Sequence, residues 1–215
     1  MQMIHETIKI QAEGSAYEGK LVTYFLGNSP EIEPDRRRPV VVICPGGAYA
    51  MTSDREAEAV ALRFMSMGYH AVVLRYSVAP ARYPAALRQL AKTVALLREN
   101  SEKWHIETDK IIVSGFSAGG HLAASLGVFW NTPELKEITG FDNEMIRPDG
   151  MILNYPVITS GEFGHQESFH NLLGEKYEEL KDKMSLEYQV TEDTPKTFIW
   201  HTFEDETVLL DNTLR

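Results

Sequence analysis

The chain has 215 residues, of which 43% are hydrophobic and 24% charged, and 31 acidic against 21 basic side chains give it a formal net charge of −10 at pH 7. This length and composition predict one globular domain over residues 1–215, with enough chain to bury a core. The negative charge argues against a nucleic acid or an anionic membrane surface as a partner, because the chain has no excess of cations to neutralise either.

Cysteine content and the N-terminal sequence indicate a soluble protein of the cytoplasm. Cys44 is the only cysteine, so neither an intramolecular disulfide nor a thiolate-rich metal site can form. Residues 1–20 lack a basic stretch followed by an apolar run, and no segment reaches the roughly 18 apolar residues that would span a membrane. We therefore expect a cytoplasmic protein.

Short apolar runs alternate with longer helical patterns, and this alternation predicts an α/β fold. In chain order, strands are predicted at Thr7–Ile10, Leu21–Leu26, Val40–Cys44, Ala71–Leu74, Lys110–Val113, Gly150–Leu153 and Thr197–Trp200. Helices are predicted at Glu56–Met67, Pro84–Arg98 and Ala118–Trp130. A turn at Gly14–Gly19 separates the first two strands, and the loop Asn28–Pro39, with Arg36, Arg37 and Arg38, is expected to be solvated.

The segment 161–194 differs from the rest of the chain because it is polar and strongly acidic. Nine acidic residues against three lysines give it a net charge of −6, which is more than half of the charge of the whole chain. A helix is predicted around Tyr177–Glu187, within what we interpret as an excursion above the sheet. Two interpretations stay open, a solvated insertion or a lid that shapes a substrate pocket.

The strand Lys110–Val113 leads into Gly115-Phe116-Ser117-Ala118-Gly119, a G-x-S-x-G pattern at the start of a predicted helix. A nucleophile elbow needs this order of strand, tight turn and helix, because its serine stands on a strained corner that only small neighbours allow. The N-terminal end of the helix also favours an anion nearby. We therefore predict Ser117 as a nucleophile. The alternative is a Gly-Ser turn that merely begins a helix.

A serine nucleophile needs N–H groups that stabilise the oxyanion formed in acyl transfer. The loop Pro45–Tyr49 follows a buried strand and contains two glycines, as an H-G-G-G-type loop does. We predict the N–H groups of Gly47, Ala48 and Ala118 as the oxyanion hole. Pro45 in place of the usual histidine, and Ala48 in place of the third glycine, leave open which N–H is the principal donor. The alternative is a turn that only ends the strand.

The acid of a catalytic triad is expected after a later strand, since in this motif order the acid follows the serine. Asp205 follows the strand Thr197–Trp200 at a short distance and is the predicted acid, with Glu204 and Glu206 as nearby alternatives. A carboxylate in such an acidic loop is ordinarily only solvated. The preceding strand and the chain order favour the catalytic role here.

Five separated blocks resemble, in order, the α/β-hydrolase esterases of the acetylesterase and acetyl-xylan-esterase-like group: Pro45–Tyr49, Ser53–Ala57, Gly68–Pro80, Gly115–Gly120 and Trp200–Asp205. The resemblance implies an α/β-hydrolase three-layer sandwich with a mostly parallel central sheet. It also implies a serine carboxylic-ester hydrolase that acts on small acyl esters, acetyl esters of carbohydrates among them, through an acyl-enzyme on Ser117. No metal and no organic cofactor is implied, and the expected partner is a small-molecule ester.

No histidine follows Asp205, although the motif order places the catalytic base there, beyond one more helix and strand. The residues from Glu206 to Arg215 are too few for both elements, so we expect that the C-terminal helix, the last strand and the histidine are missing from a truncated chain. Substitute bases could come from the middle or the end of the chain: His121, His165, His170 or His201. The remaining histidines, His5, His70 and His105, occupy ordinary strand, core or surface positions. The spacing of His165 and His170 does not specify a zinc site.

Two other functions stay open at the level of sequence. A non-catalytic binding protein would keep the pocket and lack the histidine of the triad. A serine peptidase of the prolyl-oligopeptidase type would share the fold, although its propeller domain is missing here. Without a further strand, Thr197–Trp200 becomes an apolar sheet edge, which leaves a homo-oligomer open.

Overall fold

The computed structural model describes residues 3–11 and 16–215, so the first part of the predicted turn at Gly14–Gly19 lies outside the described residues. The strands are β1 (Thr7–Gln11), β2 (Glu18–Tyr24), β3 (Arg38–Cys44), β4 (His70–Arg75), β5 (Ile106–Phe116), β6 (Gly150–Asn154) and β7 (Thr197–Trp200). They form one sheet in the order β1-β2-β4-β3-β5-β6-β7. The pairs β1–β2 and β2–β4 are antiparallel, and all pairs from β4 to β7 are parallel.

Helices cover both faces of the sheet and give the predicted three layers. The helices are α1 (Glu58–Ser66), α2 (Ala85–Glu99), α3 (Ser101–Trp104), α4 (Ala118–Phe129), α5 (Pro133–Thr139), α6 (Asn143–Ile146), α7 (Gln166–Leu173), α8 (Tyr177–Leu180) and α9 (Asp211–Leu214). One face of β3 packs with α2 and α4 through Val40 and Val42, whereas Val41 and Ile43 face the layer of α1. Because both faces of β3 are buried, its sequence is a continuous apolar run.

The predicted helix at Tyr177–Glu187 was too long, and the segment 161–194 is not solvated along its length. Its regular structure is α7, α8 and 3₁₀ turns at Gly174–Lys176 and Leu186–Tyr188. Five of its apolar side chains are at most 6% exposed and join the core next to α4: Phe169, Leu172, Leu173, Met184 and Leu186. The acidic residues of the segment hide this apolar set when only its mean composition is considered.

The expectation of a solvated arginine run was wrong for one of its three members. Arg36 and Arg37 are exposed, but Arg38 is the first residue of β3 and is only 7% exposed. Its guanidinium donates to the side-chain oxygen of Asn28 and to the carbonyl of Arg36. A buried guanidinium needs such acceptors, and the loop itself supplies them.

Strand β7 forms one edge of the sheet, as its apolar sequence led us to consider. Among the described residues it pairs with β6 alone, and all four of its residues are exposed, with Phe198 at 63%. On the α1 side, a groove of about 530 Å³ runs beside this strand between Phe64 and Phe198. This groove contains none of the predicted site residues.

Candidate active site

Ser117 stands at the junction of β5 and α4 in a strained backbone conformation. Its φ of 51° and ψ of −119° are unusual for a residue with a side chain. A Cβ atom on Gly119 would lie 2.1 Å from the carbonyl oxygen of Cys44, and one on Gly115 would lie 2.1 Å from the carbonyl oxygen of Gly119. Both glycines of the G-x-S-x-G pattern are therefore required by close backbone approach.

The backbone of Ser117 is fixed by the end of the neighbouring strand. Its N–H donates to the carbonyl of Asn154 at 3.0 Å, and its own carbonyl accepts from the N–H of Val157 at 3.1 Å. The Asn154 amide in turn donates to the carbonyl of Gly115 at 2.9 Å. Within the described residues, no side chain hydrogen-bonds to the Ser117 hydroxyl, which is on the wall of an open cavity. The hydroxyl is therefore available to a ligand.

The loop after β3 turns sharply and exposes N–H groups. Gly47, Ala48 and Tyr49 all have positive φ, at 127°, 54° and 56°. The carbonyl of Ala48 accepts from the Asn171 amide at 2.9 Å, and that of Tyr49 accepts from the N–H of Ala79 at 2.8 Å. The carbonyl of Gly46 accepts from the N–H of Ser53 at 2.9 Å, and that of Gly47 accepts from the N–H of Ala50 at 2.9 Å. Because each carbonyl lies in one planar peptide with the next N–H, these two bonds fix the direction of the N–H groups of Gly47 and Ala48.

The three predicted oxyanion donors are unoccupied in the part of the chain that the structure describes. No acceptor there is hydrogen-bonded to the N–H of Gly47, Ala48 or Ala118. The N–H of Gly46, in contrast, donates to a carboxylate oxygen of Glu56 at 2.7 Å. Gly46, which was not among the predicted donors, is thus engaged elsewhere, and the choice among Gly47, Ala48 and Ala118 stays open.

One cavity of about 480 Å³ brings most of the predicted site residues together. Ser117, Gly47, Ala48 and Asp205 all line it, while Ala118 is buried and can contribute only through its backbone. Four charged side chains line the same cavity, of which one is basic and three are acidic: Arg55, Glu56, Glu167 and Asp205. The cavity therefore has a net negative lining, which favours a neutral ligand over an anionic one.

Asp205 is the acidic residue of its loop that reaches this cavity. Its Oδ1 atom accepts from the N–H groups of Thr207 and Val208, each at 2.9 Å, which fixes the carboxylate in one orientation. Its Oδ2 atom lies 3.5 Å from Nε2 of His201, beyond good hydrogen-bond distance. Oδ2 is therefore free to accept from a further donor. The alternatives Glu204 and Glu206 are exposed and do not line the cavity.

None of the histidines lines the cavity, and the four considered as substitute bases are engaged elsewhere. Both ring nitrogens of His201 are used, Nδ1 by Thr213 at 2.8 Å and Nε2 by the carbonyl of Val208 at 2.7 Å. His201 thus stabilises the loop that carries Asp205. His165 bonds Ser168 at the start of α7, and His170 stacks on the ring of Tyr177.

His121 of α4 is buried behind the loop Pro45–Tyr49, called the oxyanion loop below. Its ring joins α4 to this loop and to the segment 161–194. Its Nε2 lies 2.9 Å from the carbonyl of Met184 and must carry the proton, so Nδ1 accepts from the Tyr49 hydroxyl at 3.0 Å. Burial lowers the pKa of His121 to about 4. The ring is therefore neutral at physiological pH, and both nitrogens are occupied, so it is not the base for Ser117.

This burial predicts a loss of stability in mild acid. The unfolded histidine takes up a proton near pH 6.5, whereas the folded one resists protonation until about pH 4. The unfolded state thus binds more protons across this window, so the free energy of unfolding should fall as the pH drops from 6.5 to 4, by on the order of 3 kcal/mol for His121. Urea unfolding at pH 7 and pH 4.5 measures the difference.

His121→Gln, whose amide can still bond Tyr49 and Met184, is the variant that isolates this contribution. His70 is also buried, and its pKa is likewise lowered to about 4, so the variant should lose about half of the pH dependence rather than all of it. An unchanged pH dependence in His121→Gln would show that this histidine does not titrate as its burial requires.

Several residues of the site were not predicted from the sequence. Glu56 and Tyr155 line the cavity and bond each other at 2.9 Å, and Asn171 reaches the oxyanion loop from α7. Ser53–Ala57 was one of the resembling blocks, but nothing in it indicated which side chain faces the nucleophile. Tyr155 belongs to the loop after β6 and Asn171 belongs to α7, and neither of these elements carries a motif.

Two features are absent from the described residues. No three His, Cys, Asp or Glu side chains among them lie close enough together to hold a metal ion. No helix in this part of the chain is both long and apolar enough to cross a membrane.

Comparison with known proteins shows a family match over most of the chain. Residues 29–214 match the model of the BD-FAE family. The chain is 37% identical over 188 residues to endo-1,4-beta-xylanase B of Butyrivibrio fibrisolvens, a match that covers 83% of this chain and 29% of that protein. The chain spans less than a third of the length of the curated relatives it matches.

Solved structures of other proteins are similar to this chain over almost its whole length. An acetyl ester-xyloside bifunctional hydrolase from Caldicellulosiruptor lactoaceticus is 34% identical, with a TM-score of 0.84 over 97% of this chain and 78% of its own. The carboxylesterase Cest-2923 from Lactobacillus plantarum WCFS1 is 29% identical, with a TM-score of 0.82 over 100% of this chain and 76% of its own. These likenesses confirm the α/β-hydrolase fold that the resembling blocks implied.

Proposed function

Because the chain belongs to the BD-FAE family, we propose that it is a serine carboxylic-ester hydrolase of small acyl esters, in the first place acetyl esters of carbohydrates. The observation that carries the proposal is the placement of Ser117 on a strained elbow, on one cavity with the free N–H groups of Gly47 and Ala48 and with the carboxylate of Asp205. The names of its relatives, which include an acetyl ester-xyloside hydrolase and a xylanase, support the carbohydrate side of the substrate.

The reaction follows from these positions. The Ser117 oxygen attacks the ester carbonyl carbon, the new C–O bond forms, and the carbonyl electron pair moves to oxygen. The N–H groups of Gly47, Ala48 and Ala118 stabilise this oxyanion. When the oxyanion collapses, the bond to the alcohol breaks and the alcohol leaves with the proton that the base took from Ser117. Water then attacks the acyl carbon and gives a proton to the base, the bond between the acyl group and the Ser117 oxygen breaks, and Ser117 takes that proton back as the acid leaves.

The base that removes the Ser117 proton is the part of the triad that the described site does not provide. We propose that a histidine outside residues 1–215 supplies it, oriented by the free Oδ2 atom of Asp205. The mass of the protein made from its source gene tests this proposal. A mass equal to the 24.3 kDa of this chain would overturn it.

A substrate series tests the proposed activity on the full-length protein. We expect acetate release from acetylated xylose and xylo-oligosaccharides, and a kcat/KM for p-nitrophenyl esters that falls as the acyl chain lengthens from acetate to octanoate. The cavity of about 480 Å³ is of ordinary size for a small-molecule site, and its acidic lining does not repel a neutral sugar. A fluorophosphonate probe should also add its mass to the peptide that contains Ser117.

Each rival function predicts a different result in this series. A binding protein without a triad would bind acetylated sugars but release no acetate and take up no probe. A peptidase would take up the probe and cleave prolyl peptide substrates faster than acetyl esters. Either result would contradict the esterase proposal.

A further inference from the structure

Glu56 lies between the oxyanion loop and the corner after β6, and both of these contact the elbow that carries Ser117. It ends the 3₁₀ turn Asp54–Glu56, directly before α1, and its half-buried side chain lines the active-site cavity. Its Oε2 atom accepts from the N–H of Gly46 at 2.7 Å, and its Oε1 atom accepts from the hydroxyl of Tyr155 at 2.9 Å. Both carboxylate oxygens are therefore engaged, so Glu56 is not itself available as a base.

The first partner, Gly46, is pressed against the elbow. A Cβ atom on Gly46 would lie 2.9 Å from the Cβ of Ser117 and 2.8 Å from the carbonyl oxygen of Phe116. Gly46 also directly precedes Gly47, whose N–H is a proposed oxyanion donor. A rotation of the Gly46 backbone would therefore move that N–H relative to the Ser117 hydroxyl.

The second partner, Tyr155, belongs to the corner after β6. The preceding residue, Asn154, accepts from the N–H of Ser117, and the N–H of Tyr155 donates to the carbonyl of Trp200 at 2.8 Å. Tyr155 has a φ of 36°, so this corner is strained and needs fixing contacts. Burial, followed by the charge of Glu56, raises the pKa of Tyr155, which keeps its hydroxyl protonated as a donor.

We propose that Glu56 is a positioning residue for the ester hydrolysis proposed above, because its carboxylate ties the oxyanion loop to the corner that anchors Ser117. This inference rests on the proposed function, since the acyl transfer proposed above develops negative charge at the N–H groups of the oxyanion loop. An ionised carboxylate suits the task because it accepts at both oxygens without donating. A neutral amide of the same shape has one oxygen and one donor group, so it can bond both partners only if the Tyr155 hydroxyl changes from donor to acceptor, and it loses the charge that strengthens both bonds.

Glu56→Gln in the full-length protein is the first test. Gln replaces two charge-assisted bonds by neutral ones and reverses the direction of the bond to Tyr155, so we expect kcat for p-nitrophenyl acetate to fall by about 10- to 100-fold while KM changes less than about threefold. Tyr155→Phe removes one of the two bonds and should give a smaller fall in kcat of the same kind. Glu58→Gln, an exposed glutamate at the start of α1 that does not line the cavity, is the matched control.

Hydrogen exchange at the Gly46 amide separates a failure of this inference from a failure of the proposed function. If the parent protein neither hydrolyses esters nor takes up a fluorophosphonate, the proposed function fails, yet faster exchange in Glu56→Gln than in Glu58→Gln would still support the tie between the loops. If the parent is active and Glu56→Gln keeps more than half of its kcat, the inference is overturned. A rise in KM alone would also overturn it, because it would assign Glu56 to substrate binding. Should Glu56→Gln not fold, Tyr155→Phe decides by the same criteria.

Discussion

Replacing Ser117 by alanine should reduce kcat/KM for acetyl esters by about 10⁴- to 10⁶-fold and abolish labelling by a fluorophosphonate. The reason is chemical rather than structural, because the hydroxyl makes no hydrogen bond within the described residues and its loss leaves no buried partner unsatisfied. We therefore expect the thermal midpoint of Ser117→Ala to match that of the parent. Steady-state kinetics and intact-mass labelling of the full-length protein measure the two effects.

Ser66→Ala is the control for this experiment. Ser66 is an exposed serine at the end of α1, and within the described part of the chain its hydroxyl bonds only the carbonyl of Arg63. The control should keep the activity and the labelling of the parent. A Ser117→Ala variant that retained a tenth of the parental kcat/KM would exclude Ser117 as the nucleophile.

Replacing Gly119 by alanine should destabilise the fold itself. The added Cβ would lie 2.1 Å from the carbonyl oxygen of Cys44 and 2.4 Å from that of Pro45, and both are backbone atoms at the end of β3. Backbone atoms cannot rotate away as a flexible side chain can, so α4 or the oxyanion loop must shift. We expect a loss of about 3 kcal/mol or more in the free energy of unfolding, measured by urea titration.

Gly161→Ala serves as the comparison for this variant. The nearest atom to a Cβ at Gly161 is the side-chain oxygen of Thr159 at 3.2 Å, and no backbone atom lies within 4 Å. Its urea midpoint should stay close to that of the parent. Equal midpoints for the two alanine variants would contradict the close approach of α4 to β3.

The central strands were predictable because burial on both faces leaves a continuous apolar run. Val40–Cys44 is the clearest case, and each of the predicted strands is present, with the predicted ends for Thr197–Trp200 and somewhat different ends for the others. Ser117 and its glycines were predictable for a related reason, since a strained elbow restricts its neighbours to small residues. Asp205 followed from the preceding strand and from chain order. The triad roles of these residues stay predictions until the variants above are measured.

The remaining features could not be predicted, because they depend on contacts between distant parts of the chain. The bond between Glu56 and Tyr155 joins residues 99 positions apart, and that between Asn171 and Ala48 joins residues 123 positions apart. Helix α7 was missed for a different reason. Phe169, Leu172 and Leu173 have helical spacing, but the surrounding acidic residues dominate the mean composition.

The site has one part that must be kept for the reaction and another that can be varied, and the hydrogen bond from Asn171 to the carbonyl of Ala48 links the two. The reacting groups are on the ends of β3 and β5, whereas the segment 161–194 contributes Glu167 to the cavity and this one hydrogen bond to the oxyanion loop. Mutant libraries aimed at new alcohols can therefore randomise Glu167 and its exposed neighbours while Asn171 is kept. Selectivity for the alcohol would then change while the residues that break the ester bond stay the same.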